Sequence, residues 1–203
     1  MDNKVVVLAA SLGGPPLVND ILSGLKANFE LPILVLQQME SDFSEPLTHA
    51  WSKTTAVNMV RLNESEFMKS GHAYVMPYCA YPEFADKSGR MEIRAHFLNA
   101  GEGAGEQWSR AVENCLGQFG SDLILVLLTN PRNMQGRFHL VLEKVKQAGA
   151  SILVCRESEN IAAGNMDTDQ IGGWQVMNID AILSHLQKCA GIIEQTPSKI
   201  YSV

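Results

Sequence analysis

Val5-Val6-Val7-Leu8-Ala9-Ala10-Ser11-Leu12-Gly13-Gly14-Pro15 carries the strongest signal in this chain. Six apolar residues, the length of a buried strand, run into a serine on a glycine-rich turn. Behind the turn, Leu17, Ile21, Leu22 and Leu25 recur near helical spacing and predict a helix over 16–29. Strand, turn and helix in that order lift the Ser11 hydroxyl to the carboxyl end of a strand, the place where open α/β sheets hold their ligands.

The same alternation continues along the chain. Strands are predicted at 33–36, 57–61, 123–128 and 151–155, and helices at 43–53, 107–119, 138–148 and 179–189. Leu123–Leu128 is the most apolar run and reads as the central buried strand. Residues 73–76 and 91–95 read as a more exposed pair of strands separated by the polar turn Asp86-Lys87-Ser88-Gly89. Trp51 and Trp108 lie at helical spacing and read as core. The expected fold is α/β, a doubly wound, mostly parallel sheet with helices on both faces. One domain is expected over 1–195, followed by a weakly patterned tail at 196–203.

Composition narrows the function classes. Apolar residues make up 46% and charged residues 19%, which supports a packed core and excludes a disordered chain. No run approaches the ~20 apolar residues of a membrane-spanning helix, and the first residues lack the pattern of a secretory signal, so no membrane insertion and a cytoplasmic location are expected. The net charge of −6, with no basic cluster, argues against a nucleic-acid partner. Cys79, Cys115, Cys155 and Cys189 are too widely spaced for a metal site or a disulfide framework. Gly101-Glu102-Gly103-Ala104-Gly105 does not directly follow a predicted strand, so it is not expected to cradle phosphate. Neither a metal nor a cofactor is expected.

Four segments, in order, carry a resemblance. Ala10-Ser11-Leu12-Gly13-Gly14-Pro15, the strand Pro32-Ile33-Leu34-Val35-Leu36-Gln37-Gln38-Met39, the segment Ser70-Gly71-His72-Ala73-Tyr74-Val75-Met76-Pro77, and Leu127-Leu128-Thr129 are similar to motifs of one family. The chain resembles the catalytic domain of the chemotaxis protein-glutamate methylesterases, the CheB type. The resemblance implies that family's fold, a serine–histidine–aspartate triad, and a chemoreceptor or other chemosensory signalling protein as partner. It places Ser11 at the nucleophile position and puts Leu12, Gly13, Gly14, Met39, Thr129, Asn130 and Pro131 along the cleft. No counterpart of the family's N-terminal receiver domain is expected from these 203 residues.

The departures fall on the triad. Gln38 stands where the resemblance implies the histidine, and Met134 or Gln135 stands where it implies the aspartate. Leu12 replaces a threonine, and Pro131 removes a backbone N–H from the loop facing the site. Ester hydrolysis by serine needs a group that takes the hydroxyl proton and returns it to the leaving alcohol. Imidazole does this near neutral pH. The amide of Gln38 accepts a hydrogen bond but carries no proton away. Of the five histidines, His139 lies just past the altered loop and is the best placed to substitute. Glu40 and Asp42 follow Gln38, but ordinary carboxylates, with pKa values about 4, are poor bases. The sequence therefore leads to a degenerate methylesterase-like domain with a binding or regulatory role in bacterial chemosensory signalling. The alternatives are a serine hydrolase with a rearranged base and a small-ligand binding module.

Overall fold

The computed structural model describes residues 4–39, 41–99, 101–102, 104–129, 137–157 and 174–192. Ten strands are described: β1 (Val5–Ala10), β2 (Ile33–Gln37), β3 (Asn58–Arg61), β4 (Ser65–Phe67), β5 (His72–Val75), β6 (Ala80–Lys87), β7 (Arg90–Phe97), β8 (Leu123–Leu128), β9 (Ser151–Cys155) and β10 (Gln175–Met177). Five helices accompany them: α1 (Pro15–Gly24), α2 (Ser44–Ser52), α3 (Ala104–Phe119), α4 (Phe138–Gln147) and α5 (Ile179–Cys189). Seven strands form one sheet in the order β10-β9-β8-β1-β2-β5-β3, and every pairing described within it is parallel. A small antiparallel sheet, β4-β7-β6, stands beside it.

β1, β2 and β8 are buried along their whole length, as strands covered on both faces require. The pleat of β1 divides its side chains between two cores. Val5, Val7 and Ala9 pack with Trp108, Val112, Phe138 and Val141 of α3 and α4. Val6, Leu8 and Ala10 pack with Val18, Ile21, Trp51 and Ile182 of α1, α2 and α5. Each fully buried Val or Leu of this strand contributes about 1.5–3 kcal/mol relative to exposure. Pro15 at the first turn of α1 has no N–H to leave unpaired there. The side chain of Asn178 caps α5 by accepting from the Ala181 N–H at 2.9 Å.

The doubly wound parallel sheet is as the alternation predicts. The structure corrects three details. The middle of the seven-stranded sheet is β1, with β8 one place to its side. Residues 73–76 are not an exposed partner of 91–95: Ala73, Tyr74, Val75 and Met76 are buried, and β5 lies in the main sheet between β2 and β3. The partner of β7 is instead β6, which pairs with it from Ala80↔Phe97 to Lys87↔Arg90.

The β6–β7 hairpin turns on Ser88 and Gly89, which have φ of 57° and 80°. Positive φ at both turn residues is the type I′ pattern, which favours Asn-Gly over Ser-Gly. Ser88→Asn is expected to raise stability by up to about 1 kcal/mol, read as a higher urea midpoint with an unchanged slope.

Candidate active site

The site follows from the strand order. The chain leaves β1 towards β2 on one side and returns at β8 on the other. In open α/β sheets such a reversal marks the carboxyl edge where ligands bind. Ala10 is in register with Gln37 and with Leu128. Ser11, Gln38 and Thr129, each the first residue past its strand, are therefore neighbours in one row. The alternation of the strands assigns all three to the α3–α4 side, in step with Val7 and Ala9, Leu34 and Leu36, and Leu125 and Leu127.

Buried amides hold this edge. The Gln38 N–H donates to the Ala10 carbonyl at 2.8 Å. Gln37, 1% exposed, turns its side chain along the row, and its Nε2 donates to the Ser11 carbonyl at 2.6 Å and the Gln38 carbonyl at 2.9 Å. The Gly14 N–H also donates to the Ser11 carbonyl, at 2.8 Å. Gly14 is buried against β1: a Cβ there would lie 2.5 Å from the Ala10 Cβ and 2.9 Å from the Ser11 carbonyl oxygen. Ser11 and Gln38 are half-buried, Gly13 is exposed, and Met39 and Thr129 are buried. Leu12 is 70% exposed.

On the far side of β5, the buried Gln107 of α3 does for the turn at 77–80 what Gln37 does for Ser11. Its Nε2 donates to the Pro77 carbonyl at 3.0 Å and the Ala80 carbonyl at 2.8 Å. Between them Cys79 has a left-handed φ of 55°. Gln107→Leu would leave two carbonyls without this donor, and is expected to cost about 2 kcal/mol in a denaturation experiment.

Asn130, Pro131, Met134 and Gln135 lie outside the described residues, as does Glu40. Asp42 is exposed on the short turn before α2. The histidines are dispersed. His72 begins β5, at the amino end of the sheet and opposite to Ser11, with its Nδ1 2.8 Å from the Ser70 carbonyl. His49 lies in α2. His96 lies in β7 with its Nδ1 3.3 Å from a Glu83 carboxylate oxygen. His185 belongs to α5, where burial, reinforced by Lys188, holds its imidazole below the ordinary range. His139 sits exposed in the first turn of α4, which follows β8, and so lies on the Ser11 side. Among the described residues no imidazole hydrogen-bonds the Ser11 hydroxyl, and no group of three His, Cys, Asp or Glu converges to hold a metal ion.

At the start of α4, Arg137 is tied to α3, with its Nη2 2.8 Å from Glu113 and 3.3 Å from Glu106. Arg110 joins Glu106 at 2.9 Å and also Glu102. Glu106 is the chief cause of a raised Arg110 pKa, so that guanidinium stays charged. Neither glutamine staple announces itself in the sequence, because a buried glutamine at a strand end or on a helix has the same one-letter signature as an exposed one.

Known proteins match this arrangement over most of its length. The family model for CheB methylesterase matches residues 6–184. A protein-glutamate methylesterase/protein-glutamine glutaminase of Geobacter metallireducens is 27% identical over 161 residues, covering 79% of this chain and 45% of that protein. A protein of the same description from Saccharophagus degradans is 34% identical over 87 residues, 43% of this chain and 24% of that protein. The chain thus spans less than half the length of these curated relatives. The Thermotoga maritima CheB methylesterase catalytic domain shares the fold, with a TM-score of 0.71 at 22% identity over 91% of this chain and 97% of that one. A family match that begins within β1 and runs into α5 takes in the whole seven-stranded sheet, and on it this chain belongs to the CheB methylesterase family.

Proposed function

We propose that this chain is a catalytically degenerate methylesterase domain that binds a chemosensory protein, in the first place a chemoreceptor, without hydrolysing it. The observation that carries this reading is Gln38 in register beside Ser11, at the position where the family resemblance calls for histidine. An amide at that point orients a hydroxyl but does not take its proton, so attack on an ester carbonyl has no general base. Met134 or Gln135 in place of the aspartate removes the group that would orient an imaginable substitute imidazole.

A binding role has its own support. Among the described residues the large apolar side chains that stay exposed are Leu12, Phe43, Tyr78, Phe97 and Leu140. Leu12 follows β1, Phe43 precedes α2, Tyr78 follows β5, and Leu140 sits in the first turn of α4. Phe97 is paired with Ala80, just beyond Tyr78. By their places in the chain all five fall on the carboxyl-end side of the main sheet, the side on which Ser11 lies. Apolar side chains gathered at one end of a molecule mark a surface that meets a partner. The relatives named above are protein-glutamate methylesterases, and a receptor is the kind of protein such a surface would meet.

Binding and turnover are to be measured together on a methylated chemoreceptor fragment. The expected result is saturable binding that Leu12→Asp weakens, with methanol released no faster by the wild type than by Ser11→Ala. Serine-dependent release would overturn the reading, and His139 would then be the first base to test.

A further inference from the structure

One edge of the main sheet is open. β3 pairs with β5 on one side and with no described strand on the other. The Asn58 and Leu62 N–H groups donate inward, to the Gly71 carbonyl at 2.9 Å and the Val75 carbonyl at 3.0 Å. In a parallel ladder the intervening residues face the other way. The N–H and C=O groups of Met59 and Arg61 therefore point out of the sheet.

The same two residues line a groove. Met59 packs towards the core beneath α1 and α2, which assigns its side chain and that of Arg61 to the α2 face. Glu45, Thr48, His49 and Ser52 of α2 recur at helical spacing along the opposite wall. The open space between helix and strand is about 360 Å³. The Thr48 and Ser52 hydroxyls donate to carbonyls of their own helix, at 2.6 and 2.8 Å, so neither donates into the groove.

Arg61 is under-used. Its Nη1 meets a Glu45 carboxylate oxygen only at 3.4 Å, and that carboxylate is 80% exposed. Ion pairs of that kind contribute little. Its Nε is buried with no hydrogen-bond partner. A guanidinium fork suits a carboxylate held by two parallel bonds.

We propose that the α2–β3 groove docks an extended peptide segment of a protein partner, which adds an eighth strand beside β3 and seats an acidic side chain on Arg61. Two observations choose this occupant. The outward main-chain groups of Met59 and Arg61 are satisfied by another extended backbone and not by a helix. The cation between them selects a carboxylate, which displaces the loosely held Glu45.

The test uses the intact chain, labelled with ¹⁵N, and a peptide of alternating valine and threonine with one central glutamate. Saturable shifts of the Met59 and Arg61 amide signals are expected. Arg61→Glu is expected to weaken this peptide at least about tenfold and to favour a peptide with lysine at the centre. Met59→Pro removes an outward N–H while the inward ladder of Asn58 and Leu62 is kept, so it is expected to weaken both peptides in a chain whose spectrum shows it folded. No saturable shift at ~1 mM peptide, indifference to the charge exchange, shifts centred on Ser11, or the same shifts with acetate alone would each overturn the proposal.

Discussion

Gln38→His alone is expected to leave methyl-ester hydrolysis far below that of a working serine hydrolase. Removing the serine or histidine of such a site costs about 10⁶ in rate, whereas removing only the orienting carboxylate costs about 10⁴. On the reading proposed above, in which Gln38 stands in place of the imidazole, the wild-type chain starts from the first deficit. A histidine at position 38 would stand beside Ser11, because Ala10 and Gln37 are in register. On the same reading, with Met134 or Gln135 at the aspartate position, it would have no carboxylate to fix its tautomer or to stabilise its charged form. The substitution is therefore expected to recover at most about two of the six lost orders of magnitude. Adding Met134→Asp or Gln135→Asp is expected to recover more, with Pro131 limiting the gain through its missing N–H. Methanol release from a methylated receptor, with Ser11→Ala in each background, measures the series. Full activity from Gln38→His alone would show that another carboxylate already faces position 38.

The largest expected loss of stability lies at Gly14. An alanine Cβ there meets the Cβ of Ala10 and the carbonyl oxygen of Ser11, and neither belongs to a flexible side-chain end. Relief requires α1 to move away from β1, because β1 is fixed by strands on both sides. Overpacking of this kind costs up to about 3 kcal/mol, or a fall in Tm of about 10 °C for a chain of this size. The same movement would pull the Gly14 N–H from the Ser11 carbonyl. Gly24→Ala is the control. The atoms nearest its Cβ are the two methyl carbons of Leu183, at 2.4 and 3.0 Å, and its Cγ at 3.3 Å; that side chain can turn aside, so a smaller loss is expected by thermal unfolding.

Legibility in the sequence followed from how much of each element is apolar. β1, β8 and β9 are nearly pure apolar runs, and α5 has a clear apolar stripe, so their limits could be read closely. β6 was hidden because Pro82, Glu83 and Asp86 interrupt it. Its antiparallel partner supplies the pairing that local preference does not. β5 is only four residues long and opens on His72, so its burial comes from its neighbours β2 and β3. β4 and β10, at three residues each, fall below any periodic signal. Ser11 and Gln38 could be placed at strand ends because an apolar run stops beside each of them. The bonds from Gln37 to Ser11 and from Gln107 to Pro77 and Ala80 span 26 to 30 residues and have no local trace.

β1 is also the strand whose partners arrive furthest apart in time. It pairs with β2 soon after synthesis, but Val5 meets Leu123, more than a hundred residues later. At about 5–20 residues per second, the ribosome takes roughly 6–24 s to supply that second partner. Throughout that interval the run Val5–Ala10 has one edge unsatisfied and a face that α3 and α4 have yet to cover. Uncharged β-prone segments in this condition are the ones that associate with other chains. The strand that lifts Ser11 into position is thus the segment most in need of a chaperone during translation, and slowing elongation between β2 and β8 would lengthen its exposure.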